Sequence, residues 1–129
     1  HPAMQGFGDT FIAPKGELYY SIKLFDTATV LGQAKRQPDG EPQVCIWTNK
    51  YGKGNVFATT IGHYNETMAE PAWLDMLTRG ILWSVDLDPA KHFKKTNPEV
   101  DAEIKKLIDV QIAPKSANKT STNRLPVSC

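Results

Sequence analysis

Val44–Glu66 reads VCIWTNKYGKGNVFATTIGHYNE, and its pattern decides the fold class. Val44 to Thr48 and Asn55 to Ile61 are rich in Val, Ile, Phe, Trp and Thr, residues that suit a pleated, half-buried surface, so each run reads as a strand. The link Asn49 to Gly54 holds Gly52 and Gly54, which reach positive φ without a Cβ clash, and an antiparallel hairpin is expected. A Gly-x-Gly can also cradle a phosphate, but that needs a strand-to-helix transition, and here a strand follows. The second run ends at Gly62-His63, the sharpest chemical signal in the chain.

Upstream, Thr10-Phe11-Ile12 is a brief strand between the turn signals Gly8-Asp9 and Pro14-Lys15-Gly16, and Ala28 to Gln33 is a further strand. Glu17-Leu18-Tyr19-Tyr20 fits a helical turn or a strand start equally. Lys35 to Pro42 is a polar connection with turn chemistry at Pro38-Asp39-Gly40. Downstream, Pro71 suits the first position of a helix, and Trp73, Leu74, Met76, Leu77, Ile81, Leu82 and Val85 give that helix a wide apolar face for packing on a sheet. Gly80 costs about 1 kcal/mol in a helix interior relative to Ala, so a close approach to a neighbouring element is expected there. Asn97-Pro98-Glu99 then starts a second amphipathic helix, with Val100, Ile104, Leu107 and Ile108 on one face in need of a partner surface.

The domain reading is therefore 1–87 as the α/β unit, 88–113 as linker and amphipathic helix, and 114–129 as a flexible polar tail. Fifteen basic against fourteen acidic side chains leave a net charge of +1, which gives no electrostatic footprint for nucleic acid or an anionic membrane. No apolar run approaches the roughly 20 residues of a membrane span. A chain opening His1-Pro2 without an initiator methionine reads as a processed product or a fragment. Cys45 alternates with Val44 and Ile46 as a small buried hydrophobe, and Cys129 is a terminal thiol; neither stands on the Gly-flanked turn of an activated nucleophile.

His63, directly after a strand and a glycine, is the main candidate for chemistry. In a parallel α/β sheet functional groups gather outside the carboxyl ends of strands, and an imidazole there serves as acid, base or polar anchor near neutral pH. The competing reading is a hydrogen-bonded structural histidine. His63 and Glu66 do not form the His-Glu-x-x-His zinc helix, and no metal or cofactor is expected. Glu17, Tyr19, Tyr20, Trp47, Tyr51 and Tyr64 are residue types that line carbohydrate sites, aromatic faces stacking on sugar C–H surfaces while a carboxylate holds hydroxyls. Each is also an ordinary packing or surface residue.

A set of pieces in fixed order carries a family likeness: His1-Pro2, Glu17-Leu18-Tyr19, Val30-Leu31, Trp47-Thr48, Tyr51-Gly52-Lys53-Gly54, Val56-Phe57, Thr59-Thr60, Gly62-His63 and Arg79-Gly80-Ile81-Leu82-Trp83. Residues 1 to about 85 thereby resemble the ThuA-like (trehalose utilisation) family of the class I glutamine amidotransferase-like superfamily. The resemblance implies a flavodoxin-like three-layer sandwich, of which this chain is the C-terminal portion, so that a missing N-terminal half or another chain completes it. It also implies a role in sugar metabolism, with trehalose or a related glycoside or keto-sugar as ligand. His63 and Glu17 are then the catalytic candidates, with Tyr19, Trp47, Tyr51, Gly62, Tyr64 and Glu66 around the substrate. Amidotransferase relatives carry a glutamate two residues after their histidine; here Asn65 stands there and Glu66 follows one later. Asn55 likewise replaces the arginine of the family's Gly-Lys-Gly-Arg-Val. The alternative is a non-catalytic module whose Val100 to Ile112 helix docks on a neighbour.

Overall fold

The structure, a computed structural model, describes residues 1–94, 98–112 and 125–128. A single 3₁₀ turn (Pro2–Met4) precedes strands β1 (Thr10–Ala13), β2 (Thr29–Lys35), β3 (Pro42–Tyr51) and β4 (Gly54–Thr59). Helices α1 (Asn65–Met68), α2 (Pro71–Ser84), α3 (Pro89–His92) and α4 (Pro98–Ile112) follow, and β5 (Leu125–Ser128) ends the chain's described part. The class is mixed α/β, with the strands in one sheet ordered β1-β5-β2-β3-β4.

Every pairing among the described strands is antiparallel. Chain length between strands explains this for β2, β3 and β4: parallel neighbours need a crossover of a dozen or more residues, whereas Gly52-Lys53 alone joins β3 to β4 and 36–41 joins β2 to β3. The expected hairpin is present, with Tyr51 opposite Gly54 and Ile46 opposite Thr59, and Gly52 takes φ +58° at its turn. The described strands therefore do not supply the parallel sheet whose carboxyl ends would gather functional groups around His63.

β5 lies within the stretch expected to be a flexible tail. Leu125–Ser128 instead fills the slot between β1 and β2, with Val127 opposite both Phe11 and Ala34 and fully buried. The short apolar run of Leu125 and Val127 is enough to complete the ladder once a slot with unpaired backbone groups is offered. The remainder of that tail, and Cys129, lie outside the described residues.

The core is small. Ala34, Cys45, Ile46, Trp73, Met76 and Val127 are its buried members, with Phe57, Phe11, Leu31 and Leu77 packed against them. α2 covers one sheet face and buries Trp73, Met76 and Gly80 at i, i+3 and i+7, one stripe of a helix. The apolar face is narrower than the sequence pattern suggests, since Ile81 and Val85 are exposed. Gly80 does permit the close approach expected of it: a Cβ there would sit 2.3 Å from Phe57 Cδ1 of β4.

Two polar contacts fix α2 at its ends. The Trp73 indole N–H donates to the Ile61 carbonyl at 2.9 Å, and the Asn55 side-chain amide donates to the Trp83 carbonyl at 3.2 Å and to Asp86 Oδ1 at 2.7 Å. Asn55 thus stays attached to the end of α2 without the family's charge, while its own Oδ1 is buried and has no hydrogen-bond partner among the described residues. The 3₁₀ turn docks beside α2: His1 Nδ1 accepts from the Ala3 amide, and the His1 ring meets Trp83 edge-on at 4.8 Å. No described helix is long and apolar enough to cross a membrane.

Candidate functional site

The site begins with Gly62. Its φ of +138° and its closeness to Trp73, 3.0 Å from Cζ2 to the point a Cβ would occupy, leave room for glycine and little else. With the preceding Ile61 carbonyl held by Trp73, the chain turns sharply out of β4 and presents His63 on the surface. The imidazole lies edge-on to Tyr64 at 4.6 Å between ring centroids, and among the described residues it makes no hydrogen bond. Both ring nitrogens are therefore open to a ligand.

Tyr64 is the hub. Its hydroxyl reaches Glu17 Oε1 at 3.4 Å, a long contact against the usual 2.5–3.0 Å. The Lys15 ammonium lies over its ring, 4.3 Å from the centroid, and the same ammonium donates to Glu66 Oε1 at 3.2 Å. A hydrogen bond from its own backbone N–H, followed by Lys15, holds the Glu66 carboxyl below the usual carboxylate range. Beneath these groups Thr67, fully buried, accepts from the Lys15 amide at 3.2 Å and donates to the Lys15 carbonyl. The segment after β1 is thereby pinned to α1, and this contact, not a crevice between parallel strands, assembles the cluster.

Four of the sequence candidates, His63, Glu17, Tyr64 and Glu66, come together here with Gly62 as their hinge. Tyr19, two residues beyond Glu17, is 46% exposed and makes no hydrogen bond or ring contact among the described residues. Trp47 is mid-β3, between Val30 and Ala58, and no hydrogen bond joins it to the cluster. Tyr51 stands at the hairpin turn, 82% exposed, at the far end of β4 and so roughly 17 Å along the strand from its Thr59 end. Lys15 was not among the candidates; the turn Pro14-Lys15-Gly16 hid it, because a lysine beside a turn reads as solvated.

A small void, about 10 Å³, lies beside the cluster between Glu17, Leu18, Ala34, Cys45, Thr60 and Gly62. That is about the size of one water, so the void is too small to admit a sugar ring. Cys45 lines it with its thiol donating to the Gln43 carbonyl at 3.5 Å. Burial pushes this thiol's pKa up, away from the thiolate a nucleophile needs. Among the described residues no three His, Cys, Asp or Glu side chains gather as a metal site.

A model of the family ThuA, described as trehalose utilisation, matches residues 1–84. The chain belongs to the ThuA family. The match takes in the sheet from β1 to β4, α2 to its last residue and the whole cluster around His63. ThuA membership links the chain to trehalose utilisation. No curated protein and no solved structure matches it.

Proposed function

We propose that the cluster at the end of β4 holds a carbohydrate, trehalose or a related glycoside or keto-sugar, with His63 as its polar anchor or acid/base group. The observation that carries this reading is the convergence on Tyr64 of His63, Lys15 and Glu17, with Glu66 one ion pair away. The imidazole and the ammonium offer hydrogen-bonding groups to hydroxyls, two carboxylates offer acceptors, and the Tyr64 ring gives a flat surface for sugar C–H groups. Anchoring has more support than proton transfer. A general base needs its proton within about 2.6–3.2 Å and works best when a third group orients it, and His63 makes no hydrogen bond among the described residues. Gly62 borders the same surface, Tyr19 follows Glu17 by two positions in the chain, and Trp47 and Tyr51 would have to act from elsewhere on the sheet.

This reading includes completion of the domain by an N-terminal half or another chain, giving the flavodoxin-like, glutamine amidotransferase-like three-layer sandwich. Its support is the sheet face opposite α2. Residues directly opposite each other share a face, so Val30, Trp47 and Ala58 form a row across β2, β3 and β4, with Val56 beside it. Val30 is 42% and Val56 39% exposed, an apolar surface suited to a covering layer. In α4 the exposed Val100 and Leu107 favour the second reading, a non-catalytic module that docks on a neighbour.

Calorimetric titration of the intact domain with trehalose, glycosides and keto-sugars, wild type against His63→Ala and Glu17→Gln, tests the first reading. A tenfold or greater loss of affinity in both variants is expected. Unchanged affinity and activity in His63→Ala removes this residue from the site. A mass measurement showing a folded, partner-free monomer counts against the second reading.

A further inference from the structure

A second concavity, about 470 Å³, runs between the N-terminal segment and a half-buried stripe of α2, Ala72, Asp75 and Arg79. It falls in the 300–1,000 Å³ range of small-molecule sites, and it shares no lining residue with the void beside Gly62. Phe7 and Phe11, both packed on the core, form its apolar wall, and Thr10, Asp75 and Arg79 bring polar groups to it.

Asp75 and Arg79 are four residues apart on α2, the spacing at which carboxylate and guanidinium ordinarily pair along a helix. Here they do not. Arg79 lays its guanidinium over the Phe93 ring, 3.8 Å from the centroid, and among the described residues neither it nor Asp75 makes an ion pair or a hydrogen bond. Stacking occupies the face of the guanidinium and leaves its in-plane N–H donors directed outward. Gly6, at φ +87°, borders them: a Cβ there would be in ordinary contact with Arg79 Nη2, at 3.5 Å.

We infer that this groove is a binding site for a compact polyhydroxylated ring, separate from the cluster around His63. One helical turn separates an acceptor, Asp75, from a multiple donor, Arg79, and each hydroxyl of a vicinal pair both donates and accepts, so a diol can bridge the two side chains. The C–H face of the ring then covers Phe7 and Phe11. A simple anion would meet Asp75 as well as Arg79, and a small zwitterion would leave the phenylalanines uncovered.

The test is a titration of the isotopically labelled full chain with methyl glucoside, trehalose and myo-inositol, read on the amide signals of Gly6, Gly8 and Ala72 and on the Arg79 Nε–H signal. Saturable shifts are expected, weakened tenfold or more in Asp75→Asn, which keeps the side chain's size, and in Arg79→Lys, which keeps its charge, and unaltered in His63→Ala. Glycine betaine and phenylalanine serve as zwitterionic controls. Absence of saturation, stronger shifts with the zwitterions, or shifts confined to residues 15–17 and 62–67 overturns the inference. Loss of shifts at residues 15–17 and 62–67 in His63→Ala speaks to the function proposed above and not to this groove, whereas loss of the Gly6, Gly8 and Ala72 shifts in that variant overturns the inference of a separate site.

Discussion

Replacing Gly80 by alanine opposes two effects of known size. In an exposed helix interior the change stabilises by about 1 kcal/mol, because glycine gives up more backbone freedom on folding than alanine does. At this position the new methyl would lie 2.3, 2.4 and 2.5 Å from Phe57 Cδ1, Cγ and Cε1. Three contacts inside the van der Waals limit, one of them with the ring's root atom, cannot be relieved by turning a flexible tip. Either the ring leaves its place beside the core or α2 lifts from β4. Overpacking of this kind costs typically 1–3 kcal/mol, so the net expectation is a loss of roughly 1 kcal/mol, up to about 2. For a chain between the small and large domain classes, that corresponds to a fall in melting temperature of about 3–8 °C. Denaturant unfolding of wild type, Gly80→Ala, Phe57→Leu and the double variant measures it, and the double variant should recover part of the loss, a coupling of at least about 0.5 kcal/mol. A Gly80→Ala protein more stable than wild type by about the 1 kcal/mol of an unhindered helix position refutes the argument, since it would mean that α2 does not lie against Phe57. The consequence reaches the site as well. Trp73, on the same helix, holds the Ile61 carbonyl and crowds Gly62, so displacement of α2 should also shift the His63 ring signals.

Two further expectations concern the underside of the cluster and its charges. Thr67→Val removes a buried hydroxyl that both accepts from and donates to Lys15, and should cost about 1–3 kcal/mol by denaturant midpoint, with Thr67→Ser recovering most of it. Acid should weaken the fold through Glu66, held low by its own amide and Lys15, and Asp39, held low first by its hydrogen bond from Arg36. A depressed carboxylate contributes its stability above its unfolded pKa, near 4, and loses it as pH falls through the folded value, so melting temperature should be flat down to about pH 5 and then drop. Glu66→Gln should flatten that drop, and an unaltered acid limb in the variant would exclude Glu66 as a contributor.

How much of this was legible in the sequence follows from the range of each interaction. The β3–β4 hairpin was readable because its determinants are local: alternating strand formers and two glycines within six residues. α2 was readable for the same reason, and so was the special role of Gly80, where a poor helix former inside a strong helix must answer to something outside it. The partner itself, Phe57, is 23 positions away, and nothing local names it. β5 was not legible. Leu-Pro-Val-Ser has little strand signal of its own, and only the slot between β1 and β2 gives its backbone groups partners.

The same division runs through the site. Gly62-His63 announces itself as a glycine ending a strand before a titratable side chain. The groups that meet it depend on a contact between residues 15 and 67, more than fifty positions apart, carried by one buried hydroxyl whose side chain looks like any surface threonine. The antiparallel direction of the sheet sets the site's surroundings more than any single residue does. A parallel sheet would have placed His63 in a crevice by topology alone, whereas an antiparallel one offers no such crevice at the end of β4. Here the surface exists because Thr67 ties the strand-β1 loop to α1, which brings Lys15 and Glu17 to Tyr64. Any activity of His63 therefore hangs on the Thr67–Lys15 connection as much as on the imidazole, and the Thr67→Val protein should lose ligand affinity in step with His63→Ala even though His63, Tyr64, Glu17, Glu66 and Lys15 are all still present in it.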